Sequence, residues 1–107
     1  MMWTVEYTKD AERDMEEIHT HIATVLMEPD IADKQAERIL DAAEGLDHLP
    51  FRHRIYDKEP WRTRGFRFFP VDNYVIFYLA DESKEKVIIF RVIYGGRDIP
   101  TQLEQAD

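Results

Sequence analysis

The sequence predicts an α+β fold of two layers, with an N-terminal strand and an antiparallel helix hairpin packed on an antiparallel sheet of about four strands. Three observations lead there. Between residues 11 and 46, apolar residues recur at spacings of three and four, as the buried face of a helix requires. After residue 65, three runs, RGFRFF, YVIFYLA and KVIIFRVIY, are dense in aromatic and branched residues that suit a pleated surface. The stretches PVDN and DESKE separate those runs, and connections so short and so rich in turn residues join neighbouring antiparallel strands.

Each element follows in order. Trp3, Val5 and Tyr7 alternate on one face of a first strand. Thr8 is placed to cap a helix starting near Lys9. Its apolar stripe runs through Ala11, Met15, Ile18 and Ile22 and extends to Val25 and Leu26, with acidic residues on the wet face. Glu28-Pro29-Asp30 breaks this helix, and Asp30 is expected to cap the next. Ile31, Ala32, Ala36, Ile39, Leu40, Ala43 and Leu46 form the second stripe, and a link this short makes the two helices an antiparallel hairpin. Pro50 ends the helical region. Residues 51–61 have no period and read as a loop or irregular strand. Gly95-Gly96 closes the last strand, and a polar tail from about residue 98 has room for one helical turn.

The 107 residues suit one domain spanning the whole chain, large enough to bury a core. There is no cysteine, hence no disulfide framework and no thiolate metal site. His19 and His21 lie two apart on a helix and point to different sides, which is not metal spacing. No glycine-rich phosphate loop or nucleophile elbow is present, so no cofactor and no metal are expected. Residues 1–7 read as a strand rather than a leader, and no apolar run nears the ~20 residues of a membrane span. These features predict a soluble, cytoplasmic protein without a membrane partner.

Charge is uneven. The formal net charge is −8, and residues 1–50 hold 13 acidic and 4 basic side chains, whereas residues 51–107 hold 9 and 10. The overall acidity argues against strong non-specific nucleic-acid binding. Yet residues 51–67 carry six basic groups against Asp57 and Glu59, centred on the stretch EPWRTRGFR at 59–67. Screening acts over about 8 Å at physiological salt, so such a patch can attract phosphate locally. Arg54, Arg62, Arg64 and Arg67 are the candidate anion contacts, since a guanidinium stays charged and holds phosphate oxygens in pairs. His53 titrates near neutrality. Trp61 either stacks on a partner or plugs the core from the loop, and its large apolar surface favours the plug.

The order of elements, VDNYVIFYLAD and above all FRVIYGGRDI resemble the RelE/ParE superfamily of toxins from type II toxin–antitoxin pairs, from the first strand to Ile99. Two motifs carry the likeness: Gly65-Phe66-Arg67, opening the second strand, and Arg91-Val92-Ile93-Tyr94-Gly95-Gly96-Arg97-Asp98, ending the last. The resemblance implies the family fold, a cognate antitoxin as partner, and growth inhibition by one of two routes. RelE-like members cut mRNA on the ribosome, and ParE-like members share the fold, lack the nuclease residues and act on DNA gyrase. A third possibility is a member that only binds its antitoxin.

For the first route, which the reading places ahead, metal-free cleavage needs a base for the 2′-hydroxyl, charge stabilisation at phosphorus and a proton for the leaving oxygen. The resemblance then makes Arg67 and Arg97 the phosphate-binding arginines, with Arg64 as helper. It places Tyr94 in the slot of the base, with Arg91 and Arg97 as the cations that position requires. In substrate binding the expected residues are Arg62, Arg54, His53, Trp61 and Arg91. Of the lysines that often precede the glycine motif in RelE-like enzymes only Lys58 is near, and Leu103 stands where they often carry an aromatic residue.

Overall fold

The structure is a computed structural model and describes residues 2–104. Its first strand, β1 (Thr4–Tyr7), leads into α1 (Lys9–Thr20). The expected cap is in place, with Thr8 Oγ1 accepting from the Ala11 amide at 3.0 Å. At His21 the winding changes to one π-helical turn, His21–Val25, closed by the Leu26 amide donating to the His21 carbonyl at 3.1 Å. The wider turn rotates the apolar stripe away from the sheet. Val25 and Leu26, expected in the buried stripe, are therefore exposed, with Met27 beside them.

Helix α2 (Pro29–Glu44) begins two residues earlier than expected. Glu28 is its N-cap, Pro29 takes the first helical position, where a missing amide costs nothing, and Asp30 lies inside the first turn. Ala32, Ile39 and Ala43 are buried, while Ile31 and Leu40 face out. A short 3₁₀ turn, Gly45–Asp47, buries Leu46. The helix hairpin is tied near its tip by His19 Nε2 and Asp33 Oδ1 at 2.8 Å.

The EPWRTRGFR stretch does not enter the sheet as a strand. Trp61–Arg64 is a single helical turn, α3, and Gly65 ends it at φ 82°, a left-handed conformation that glycine adopts without strain. Only Arg67 reaches the sheet. Strand β2 (Arg67–Val71) includes Pro70 and Val71, so the turn before β3 (Tyr74–Asp81) shrinks to Asp72-Asn73. Strand β4 (Lys86–Tyr94) follows, and α4 (Ile99–Glu104) makes a helix of the tail's first part. The rest of that tail lies outside the described residues.

The sheet order is β1-β4-β3-β2. The last three strands form the expected antiparallel meander. β1 joins β4 in parallel, with Tyr7 opposite Ile89, so the sheet is mixed. The reason lies in the connection: the whole helix hairpin intervenes between β1 and the meander, and a crossover of that length permits parallel pairing. β4 bulges between Ile89 and Arg91, where Phe77 and Tyr78 change partners.

Side chains alternate across the strands and feed two cores. On one face, Phe69, Ile76, Tyr78, Val87, Ile89 and Val92 pack on Ala11, Ile39, Ala43 and Leu46 of the helices. On the other, Phe77 and Ile93 meet Tyr56, Trp61, Phe66 and Leu103. The loop before β2 and helix α4 thus cover the face that a plain two-layer fold leaves open. Trp61 plugs this second core, and Leu103 of the nominally polar tail is buried in it.

Candidate functional site

Two arginine groups stand at opposite ends of the sheet. The first surrounds the start of β2. Arg67 Nη1 donates to the His53 carbonyl at 2.6 Å and to the Phe51 carbonyl at 3.2 Å, and its guanidinium lies 5.1 Å from the Phe51 ring centre. It thereby pins the loop that carries His53. That imidazole stacks on Phe69 with centroids 4.0 Å apart, and burial, then the Arg52 charge, lower its pKa. Arg54 lies over Phe68 at 4.8 Å, and Arg62 pairs with Glu59 at 3.3 Å. Arg64 is exposed on α3. The predicted anion contacts are therefore held by aromatic rings, carbonyls and a carboxylate, except for Arg64, whose guanidinium meets no partner among the described residues.

The second group lines a cleft of about 800 Å³ where the helix hairpin leaves the sheet. Ile18, His21 and Leu26 form one wall; Tyr74, Val92 and Tyr94 form the other, with Asp14, Glu17, Arg91 and Arg97 at its ends. Arg91 donates through Nε and Nη2 to Asp14 at 2.6 and 2.9 Å, and through Nη1 to the Gln102 carbonyl at 2.7 Å. Both side chains of this pair are about nine-tenths buried, at 12% and 11% exposure. The hydrogen bonds it donates to Asp14 hold the arginine's pKa above its usual value despite its desolvation. Arg91 is thus the bracket joining α1, β4 and α4. Arg91, expected as a cationic neighbour of Tyr94, has its charge engaged by Asp14.

Tyr94 is half-exposed and meets Tyr74 edge to face at 5.9 Å. Arg97 is exposed at the cleft mouth, and Asp98 is not its partner: Asp98 instead accepts from Thr101 Oγ1 at 3.0 Å at the start of α4. The sheet register sets the distance between the two groups. Val71, Tyr74 and Tyr94 share one row and Arg67 and Tyr78 another. The backbones of Arg67 and Tyr94 are thus about 13 Å apart along the strands and about 10 Å across them. Arg91, Tyr94 and Arg97 are brought together; Arg67, Arg54, His53, Arg62, Arg64 and Trp61 are not brought to them.

Sequence reasoning missed Asp14, Glu17 and Tyr74. A signal for Asp14 existed: it lies three residues after Ala11 and four before Ile18, so a carboxylate shares the helix's buried side. Among the described residues no three histidine, cysteine or acidic side chains gather as a metal ion requires. No described helix is long and apolar enough to cross a membrane.

A fold with an N-terminal strand, a helix hairpin and a three-stranded meander, ending in the YGGRD turn beside a cleft, defines a class that comparison identifies. The family model for the ParE toxin of the type II toxin–antitoxin system, parDE, matches residues 5–99. The chain belongs to the ParE toxin family. Solved structures share the fold. One from the chromosomal ParDE system of P. aeruginosa has a TM-score of 0.70 at 20% identity, covering 87% of this chain and 96% of that one. The RelBE2 toxin–antitoxin complex of Mycobacterium tuberculosis gives 0.63 at 22% identity, with coverage of 88% and 99%. A mutant of the E. coli toxin RelE in the free state gives 0.62 at 9% identity, with 99% and 94%. Comparison with curated proteins gives no match.

Proposed function

We propose that this toxin inhibits growth in the ParE manner, as a non-enzymatic inhibitor that binds a protein target in the cytoplasm and is neutralised by a cognate antitoxin. The target that the family resemblance implies is DNA gyrase. One observation carries the reading: Arg67, the arginine that the RelE-like pattern assigns to phosphate, is engaged by two loop carbonyls and a phenyl ring. The row separation from Tyr94 supports it, because in-line phosphoryl chemistry needs base and charge stabiliser about one phosphate apart. The family model, named for ParE, points the same way.

Ribosome-dependent mRNA cleavage is the second reading, favoured by Tyr94 and Arg97 lining one cleft. Two assays on antitoxin-free protein separate the readings. In cell-free translation with primer extension, the message is expected to stay intact. In a supercoiling assay with purified gyrase, inhibition is expected. Discrete ribosome-dependent cuts that vanish with Arg97→Ala overturn the proposal. Intact message together with unaffected supercoiling leaves a chain that only binds its antitoxin, and overturns it too.

A further inference from the structure

The protein has 22 acidic side chains against 14 basic ones, so an arginine on its surface ordinarily finds a carboxylate. Four arginines around the start of β2 do not. Arg52 donates to the His48 and Leu49 carbonyls, Arg67 donates to the Phe51 and His53 carbonyls, and Arg54 lies over the Phe68 ring. Arg64 is exposed on α3. Among the described residues none of the four is in an ion pair. Of the carboxylates in this stretch, Glu59 is taken up by Arg62 and by the Thr63 amide and hydroxyl, and Asp57 pairs with none of the four. Carbonyls and rings fix these guanidiniums in place without cancelling their charge.

The four charges straddle one edge of the sheet. Residues 54–56 run antiparallel along β2, with Ile55 opposite Arg67, the Tyr56 amide on the Phe66 carbonyl at 2.8 Å and the Phe68 amide on the Arg54 carbonyl at 3.2 Å. In this pattern both backbone groups of Ile55 point away from β2, and neither is bonded among the described residues. Arg67 lies on the face of Phe69, beside the His53 ring stacked on it, and the Arg52 charge reaches the same imidazole. Arg54 lies on the opposite face with Phe68, and so does α3, which carries Arg64 and sends Trp61 into the second core. The edge is thus a ridge, with two guanidiniums on each flank and an outward amide on its crest.

A ridge of this kind matches a duplex. One sheet layer with side chains on both faces is about 10 Å thick, and the major groove of B-DNA, about 12 Å wide, admits a β-ribbon. Phosphates of the two strands line its walls, so each flank meets one strand. The major groove of duplex RNA is too narrow for side chains to enter. The net charge of −8 averages two unlike regions. The acidic side chains concentrate on the helix hairpin, and the 16 residues of α2 carry it about 24 Å away from the loop, roughly three screening lengths at physiological salt. At the loop end of the hairpin, Glu44 accepts from Tyr7 and Asp47 is bonded to His48.

We propose that this edge binds duplex DNA, with Arg52 and Arg67 on the phosphates of one strand and Arg54 and Arg64 on those of the other. The contacts are to the backbone, so binding does not depend on base sequence. The inference goes beyond the inhibitor reading above: an inhibitor of DNA gyrase with such an edge also holds the duplex on which its target works.

The test is fluorescence anisotropy of a labelled DNA duplex titrated with antitoxin-free toxin at several salt concentrations, with no gyrase present. Each neutralised phosphate contributes about −0.9 to the slope of log affinity against log salt, so four arginines predict a slope of about −3 to −4. Arg54→Ala combined with Arg64→Ala removes no carbonyl contact. It is expected to halve the slope and to weaken binding about tenfold or more. Arg54→Lys combined with Arg64→Lys is expected to keep the slope, because the charges remain. Arg13→Ala, on the exposed side of α1, lowers the positive charge elsewhere and is expected to leave binding unchanged. In the wild-type protein, exchange of the Ile55 amide is expected to slow when DNA is added.

A slope near zero for the wild type overturns the proposal. So does a double alanine variant that has native circular dichroism and binds DNA as Arg13→Ala does. Equal affinity for duplex RNA overturns the groove fit and the DNA assignment with it. Displacement of the DNA by polyglutamate at equal charge assigns the edge to an acidic protein, for which exposed Leu49 and Ile55 add apolar contacts, and overturns the proposal as well. None of these results touches the supercoiling assay. Salt-dependent DNA binding together with unaffected supercoiling overturns the inhibitor reading and supports the DNA-binding edge.

Discussion

At the scale of single residues, side chains expected to meet a ligand are mostly occupied within the protein. Arg67 is the clearest case, and its substitution tests the structural role. Arg67→Ala is expected to lower unfolding stability by about 1–2 kcal/mol through two lost carbonyl contacts, as measured in urea, whereas exposed Arg97→Ala should change it by less than ~0.5 kcal/mol. Tyr78 is fully buried and donates its hydroxyl to the Pro50 carbonyl at 2.7 Å. Tyr78→Phe should cost about 1–2 kcal/mol, because the carbonyl loses its donor in a site closed to water. His53 makes stability depend on pH. Its folded pKa lies below the ordinary value of 6.5, through burial and then the Arg52 charge, so the unfolded chain takes up the proton first. The stabilisation is present above about pH 6.5 and is lost as pH falls toward the folded pKa. Across that window the urea midpoint of wild-type protein should fall more than that of His53→Gln. An equal slope in both removes His53 from the account.

At the scale of elements, the Asp14–Arg91 pair determines how α1, β4 and α4 meet. Asp14 accepts from the guanidinium twice and from the Val92 amide once, so removing it strands a buried cation and an edge amide together. Asp14→Ala is expected to destabilise by roughly 3 kcal/mol or more, against less than ~1 kcal/mol for Arg13→Ala, whose own side chain lies largely in solvent. The helix hairpin behaves differently at its tip. The π-turn moves Val25 and Leu26 out of the interlayer core, so Leu26→Glu should leave stability within ~0.5 kcal/mol, as thermal unfolding can show. A larger loss would mean that the tip packs as the unbroken stripe predicted.

At the scale of the whole molecule, the sheet is covered on both faces, and the cover on the second is small. Trp61, Tyr56 and Phe66 from the loop and Leu103 from α4 close over Phe77 and Ile93. Trp61→Ala therefore removes a large share of that core, and a loss of about 3–5 kcal/mol is expected in chemical denaturation. The two arginine groups take their separation from the same architecture, since one belongs to the loop beneath β2 and the other to the turn after β4.

What local chemistry dictated was legible from the residues. Periodicity placed the helices, Thr8 announced its cap, and the aromatic density after Gly65 placed three strands, because each signal depends on neighbours within a few residues. The family likeness came from residues on those same strands. Trp61 was readable as a plug because a large apolar ring flanked by charges has few other places to go. Tertiary structure alone decided the rest. The π-turn depends on how the hairpin docks, the parallel seating of β1 on where the crossover returns it, and the burial of Leu103 on a face whose cover is assembled from distant segments. Arg67 and Arg97 look equivalent as motif arginines, yet one meets carbonyls 14 and 16 residues back and the other meets solvent. Partners so far away in the chain are chosen by packing, and no spacing rule within the sequence encodes them.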